Sequence, residues 1–120
     1  MKLNGGSPAK MSYCVVEFIL TRDITEFEFL NVNSIAQEFK VNRSYLSQRF
    51  KLDIKYSLHE YILMIKILRS LAMLEMRENH ISIDELSKKM GFSSSDYFRR
   101  VFKQKMGITP GKYKNLFKSG

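Results

Sequence analysis

The chain has 120 residues, 44% of them apolar, with 6 Gly, 2 Pro and no Trp, which excludes disorder, a collagenous repeat and a large enzyme and leaves one domain, or two very small ones sharing a central element. Lys and Arg number 20 against 12 acids, a net charge of +8, and from Ile81 onward 9 basic and 3 acidic side chains supply +6 of it. Such a basic stretch points to nucleic acid or an anionic membrane surface as partner, while the single cysteine excludes an intramolecular disulfide and a Cys-rich zinc site.

Residues 1–10 (MKLNGGSPAK) are polar and Gly-rich where a signal peptide needs an apolar core, so they are expected to be a flexible linker or an expression scar, with a cytoplasmic location. From Met11 to Arg22 apolar residues at Cys14, Val15, Phe18 and Ile19 follow a three-and-four spacing that predicts an amphipathic helix, with Cys14 a buried structural thiol. Ile24 to Phe29 (ITEFEF) alternates, which reads as a short extended segment or, preferably, a loop that docks Phe27 and Phe29 on the domain.

Asn31 is a good N-cap for a short helix with Val32, Ile35, Ala36 and Phe39 inward, ending near Lys40. Asn42 caps the next, from Arg43 to about Leu52, with Leu46, Phe50 and Ile54 inward, and the three-residue gap is that of a helix-turn-helix. Ser57 can cap a long helix, Leu58 to Met76, apolar around nearly its whole circumference and therefore buried; its most apolar run carries Lys66 and Arg69 and is too short to span a bilayer. Ser82 begins a fifth helix with Ile83, Leu86 and Met90 inward, closed by Gly91. Ser93 opens a sixth with Phe98, Val101 and Phe102 inward, and Thr109 and Pro110 start a final short one. The fold class is all-α, with about seven helices.

The chain repeats itself. A shift of 52 residues aligns Tyr45 with Tyr97, Leu46 with Phe98, Phe50 with Phe102, Lys51 with Lys103, Ile54 with Met106 and Tyr61 with Tyr113. Before the turn the shift is 51, pairing Ile35 with Leu86, Phe39 with Met90 and Val41 with Phe92, so the second turn is one residue longer. The expected organisation is a first helix-turn-helix subdomain over 11–56, a linker helix over 57–77 and a second subdomain over 78–120. A linker of about 19 residues at roughly 1.5 Å each is about 28 Å long, near the ~34 Å that separates successive major-groove segments on one face of B-DNA. Recognition helices at about 43–52 and 94–105 could then enter adjacent grooves.

The stretch Gly91 to Lys114 (GFSSSDYFRRVFKQKMGITPGKYK) resembles the C-terminal signature of the AraC/XylS family of bacterial transcription regulators: Gly-Phe, Tyr-Phe, Phe-Lys, Gly-Ile-Thr-Pro and a closing Tyr. The first copy, SIAQEFKVNRSYLSQRFK, is similar to that family's first helix-turn-helix, so the resemblance covers nearly everything from Met11 to Lys114. It implies two helix-turn-helix subdomains on a long linker helix, and sequence-specific binding of double-stranded DNA. It also implies that any effector ligand is bound by a domain outside this chain. Lys55 departs from the family's glycine, so the first recognition helix is expected to lack its left-handed cap; Ser70 and Ser87 stand where alanine is frequent, and Asn42 where serine is.

With the core residues inward, the outer face of the first recognition helix presents Arg43, Ser44, Ser47, Gln48 and Lys51, and that of the second Ser95, Asp96, Arg99, Arg100 and Lys103. The resemblance implies base contacts from Ser44, Ser47, Gln48, Ser95, Asp96 and Arg100, to which Arg43 is added. Arg100 suits guanine O6 and N7, and Gln48 adenine N6 and N7. Lys51, Arg99, Lys103 and Lys105 suit phosphates. Asp96 either accepts from cytosine N4 or, as preferred, forms a capping box with Ser93.

His59 and His80 stand alone, no phosphate loop or acid–base constellation appears, and the methionines at 64, 73, 76, 90 and 106 sit at core spacing. No cofactor, metal or enzymatic activity is expected. The competing reading is a helical interaction module for a protein such as RNA polymerase, which exposed apolar residues on the first helix or in ITEFEF would favour. Because the second copy carries most of the charge and Arg100, it is expected to anchor the complex while the first adjusts specificity.

Overall fold

In the computed structural model, which describes residues 8–76 and 80–117, seven α-helices and one 3-10 helix account for the regular structure of the described residues. They are α1 (Pro8–Leu20), the 3-10 helix (Ile24–Phe29), α2 (Val32–Glu38), α3 (Arg43–Ile54), α4 (Leu58–Glu75), α5 (Ile83–Lys89), α6 (Ser95–Met106) and α7 (Pro110–Asn115). The chain forms two compact units, one through residue 23 and over Phe29–Ile62, the other over Ile24–Glu28 and from residue 63 on. Residues 1–7 of the expected linker lie outside the described residues, as do 77–79 at the expected linker-helix boundary and 118–120; Pro8–Lys10 already belong to α1.

In the first unit α1 buries Met11, Ser12, Val15 and Ile19. That face is rotated from the expected one: Cys14 and Phe18 are only half-buried. The cause is Ser12, a polar residue at 0% exposure whose Oγ donates to Asp53 Oδ2 at 2.7 Å, which removes the penalty of an unpaired buried hydroxyl. Asp53 in turn receives Arg49 twice, Nε at 3.1 Å and Nη2 at 2.8 Å. These bonds, Arg49's first and Ser12's second, hold the Asp53 carboxyl below the usual carboxylate range. Phe18 meets Phe39 edge to face at 5.7 Å.

Asn31 and Asn42 both cap as expected. Asn31 Oδ1 accepts from Ser34 N at 2.8 Å while Ser34 Oγ accepts from Asn31 N at 3.0 Å, a closed capping box, and Asn42 Oδ1 accepts from Ser44 N at 2.8 Å. Contrary to expectation, Lys55 does form the left-handed cap of α3, with φ +74° and its N–H donated to Lys51 O. A lysine at positive φ is costly but not forbidden, and its Nζ returns 2.8 Å to Leu52 O, satisfying one of the last carbonyls.

In the second unit Ser82 and Glu85 close the matching capping box, with both atoms at 2.9–3.0 Å. The two serines that replace alanine are buried and bond back three residues, Ser70 Oγ to Ile67 O at 2.6 Å and Ser87 Oγ to Asp84 O at 3.0 Å. Of the methionines, Met90 is fully buried, whereas Met76, just past α4, is 54% exposed rather than core.

ITEFEF is neither strand nor loop but a single 3-10 run. At three residues per turn, positions 27 and 29 point to different sides. Phe27 is accordingly 0% exposed while Phe29 is 69% exposed, so only one of the two expected anchors docks. The Arg69 guanidinium lies 5.1 Å from the Phe27 ring centroid, and the Glu28 carbonyl packs on Gly91 so closely that a Cβ there would sit 2.3 Å from its oxygen. No helix among the described residues is long and apolar enough to cross a membrane.

Candidate nucleic-acid interface

The two helix-turn-helix segments superpose in sequence to the residue. Adding 51 to the bounds of α2 gives those of α5, and adding 52 to those of α3 gives those of α6. The caps correspond as well: Asn31 with Ser82, Asn42 with Ser94, and the left-handed Lys55 with the left-handed Gly107. Phe50 and Tyr61 stand 5.7 Å apart in the first unit, Phe102 and Tyr113 5.9 Å apart in the second. Equivalent cores therefore present equivalent outer faces on α3 and α6.

On α3 the core takes Leu46 and Phe50, both at 0% exposure, and the opposite side carries Arg43, Ser44, Gln48 and Lys51 in solvent with Ser47 half-buried. Residues 44, 47, 48 and 51 recur at three and four and so share one face. A shallow groove lined by Ser47, Gln48, Lys51, Leu52 and Ser57 runs beside it. Arg49 is spent on Asp53, leaving Arg43 and Lys51 as the cations of the outer face. Tyr45 and Leu52, which are not among the expected contact residues, are 47% and 59% exposed; their exposure follows from the pattern, since neither falls on the Leu46–Phe50 stripe.

On α6 the core takes Phe98, Val101 and Phe102, and Asp96, Arg99, Arg100 and Lys103 are exposed, with Ser95 and Lys105 half-buried. The helix is capped by Ser94, not Ser93: its Oγ accepts from Tyr97 N at 3.1 Å. The expected Ser93–Asp96 capping box does not form. Asp96 is three residues past Ser93 but only two past the true cap, so its carboxylate cannot return to the cap amide; it is 97% exposed and 3.9 Å from Arg99.

The two arginines of α6 are held by different means. Arg99 Nη2 lies 3.2 Å from Asp84 Oδ1 on α5, an exposed pair that solvent screens. The Arg100 guanidinium lies 5.4 Å from the Tyr97 ring centroid. Asp84 was not foreseen, because a contact fifteen residues away leaves no local trace. Among the described residues no group of three or more His, Cys, Asp or Glu is placed to hold a metal, and His59 and His80 are exposed.

A family model described as a helix-turn-helix domain matches residues 35–116. The Msm operon regulatory protein of Streptococcus mutans is 39% identical over 85 residues, 71% of this chain; the chain spans 30% of that relative's length. The C-terminal domain of AraT, a response regulator from Geobacillus stearothermophilus, is similar in fold, with a TM-score of 0.74 at 21% identity over 92% of this chain and 88% of that one. The DNA-binding domain of AdpA, solved in complex with a target DNA, gives a TM-score of 0.70 at 19% identity over 93% and 94% of the two chains.

Proposed function

This chain belongs to the AraC-type helix-turn-helix family, and from that premise we propose that it binds double-stranded DNA sequence-specifically for a bacterial transcription regulator, with α3 and α6 entering successive major grooves. The observation that carries this reading is the exact duplication of the helix-turn-helix, each copy with an apolar inner face and a polar, cationic outer face on its second helix. The linker helix α4, with 18 residues at ~1.5 Å each, is about 27 Å long, commensurate with the roughly 34 Å groove repeat.

Arg43, Ser44, Ser47, Gln48, Ser95, Asp96 and Arg100 meet base edges in this reading, with Arg100 forking to guanine O6 and N7. Lys51, Lys103 and Lys105 meet phosphates, as does Arg99 after leaving its solvent-screened carboxylate. In this reading the protein works in the cytoplasm, and any effector ligand is bound by a domain outside this chain. On the site selected by this protein from a random DNA pool, Arg100→Ala is expected to cost about 1–3 kcal/mol and to relax preference at one base pair, whereas Lys103→Ala weakens all duplexes alike. Unchanged sequence preference in Arg100→Ala, read by competition titration, contradicts the assignment of that residue.

One observation favours a second reading, a surface for a protein partner such as RNA polymerase. The outer side of α1 exposes Tyr13 (59%) and Leu20 (46%) along a groove shared with Cys14 and Val16. The two readings are compatible; failure to shift any duplex at low salt would leave only the second.

A further inference from the structure

Arg100 is a long, exposed side chain, and such a side chain loses rotamer freedom when it docks in a groove. What distinguishes it is the ring beneath it. The guanidinium carbon stands 5.4 Å from the Tyr97 centroid, one turn back along α6, within the range of a cation–π contact. Tyr97 is itself supported: its half-buried ring tilts against Phe92 at 5.7 Å, and Phe92 meets the fully buried Phe98 edge to face at 5.0 Å. A continuous column of rings thus runs from the core of the second unit to the cation. In the first copy Val41 replaces Phe92 and Gln48 replaces Arg100, so that column has no counterpart there.

We propose that Tyr97 is a positioning residue for Arg100, its ring holding the guanidinium in the orientation that reads a base. The inference rests on the reading above that Arg100 meets a base edge. Tyr97 supplies order rather than a contact of its own: a side chain already restricted in the free protein surrenders less entropy on binding. The extra cost of Arg100's freedom falls on the specific site, where the fork must be aligned, and not on random duplex, where any phosphate suffices.

The test compares the chain with its Tyr97→Leu, Tyr97→Phe and Arg100→Ala variants, and the Tyr97→Leu/Arg100→Ala double variant. Each is titrated against a duplex carrying the selected site and a shuffled duplex of equal length. Tyr97→Leu is expected to lower the ratio of specific to shuffled affinity about threefold to fivefold, the size of an exposed cation–π contact. Tyr97→Phe restores the ratio, and Tyr97→Leu has no further effect once Arg100 is alanine. In the free protein the Arg100 δ-proton resonances should be shifted upfield by the ring in the unmodified chain and in Tyr97→Phe, but not in Tyr97→Leu.

Equal ratios for Tyr97→Leu and the unmodified chain, or an equal loss in the Arg100→Ala background, would overturn the positioning role alone. Weakening of both duplexes in Tyr97→Phe would overturn it too, by making the hydroxyl a phosphate contact. An Arg100→Ala variant with an unchanged ratio would instead remove the base-reading role on which the inference stands. Where Tyr97→Leu folds poorly, Arg100 δ-protons that are not shifted upfield in the unmodified chain and in Tyr97→Phe overturn the positioning role by themselves.

Discussion

Lys66 is 5% exposed on α4, its Nζ 5.9 Å from the Phe92 ring and 3.0 Å from where a Cβ at Gly91 would stand. Burial pushes its ammonium down from 10.5 to about 8, because the charged form loses water without gaining a full counter-charge. The unfolded chain then binds more protons than the folded one between pH 8 and 10.5, so stability rises with pH across that window. Denaturant midpoints should climb from pH 7.5 to 9.5, and Lys66→Met should abolish the climb and raise stability at pH 7 by on the order of 3 kcal/mol. The measurement ends at pH 9.5 because near pH 10 Tyr113, donating to Glu75 and pushed up to about 12, begins to oppose the rise as the unfolded tyrosine ionises.

Gly91 and Gly107 make a second comparison at this scale. Both have positive φ, +80° and +84°, but a Cβ meets the Glu28 carbonyl at Gly91 and nothing at Gly107. Gly107→Ala should cost only the left-handed backbone, about 1–2 kcal/mol. Gly91→Ala adds the clash and should cost roughly 2–4 kcal/mol, since the neighbour is backbone and cannot swing aside. Thermal melts of the two variants separate these contributions.

At the scale of the element, α6 shows how far a cap can be read from letters. Ser93, Ser94 and Ser95 are chemically identical candidates, and only the backbone decides which hydroxyl reaches the N3 amide. Because Ser94 does, Ser94→Ala should cost about 1 kcal/mol and Ser93→Ala nothing measurable by denaturant titration. Elements with a repeated apolar stripe were legible: Leu46, Phe50, Phe98 and Phe102 named the inner faces of α3 and α6, and the outer residues followed by exclusion. The face of α1 was hidden because its buried partner for Asp53 is a serine, and ITEFEF because six alternating residues do not reveal a period of three. The sequence separates Arg100 as a base contact from Arg99 as a phosphate contact, but not the partners that hold them, Tyr97 and Asp84, the second of which reaches from α5 to α6.

Over the whole molecule, charge and duplication point the same way. The residues from Ile81 onward carry +6 of the net +8, and the left-handed positions that are lysines in the first copy, Lys40 and Lys55, are glycines in the second, Gly91 and Gly107. By that charge the stretch of chain that holds α6 is the more basic, and α3 is the more polar recognition helix, which favours anchoring by α6 and adjustment by α3. Selection of bound duplexes from a random DNA pool tests the central claim, that both units read sequence in one site. Two motifs about 10 base pairs apart are predicted, the one nearer α6 the more strongly constrained; a single motif of one half-site, or no motif beyond a general preference for duplex, would contradict it.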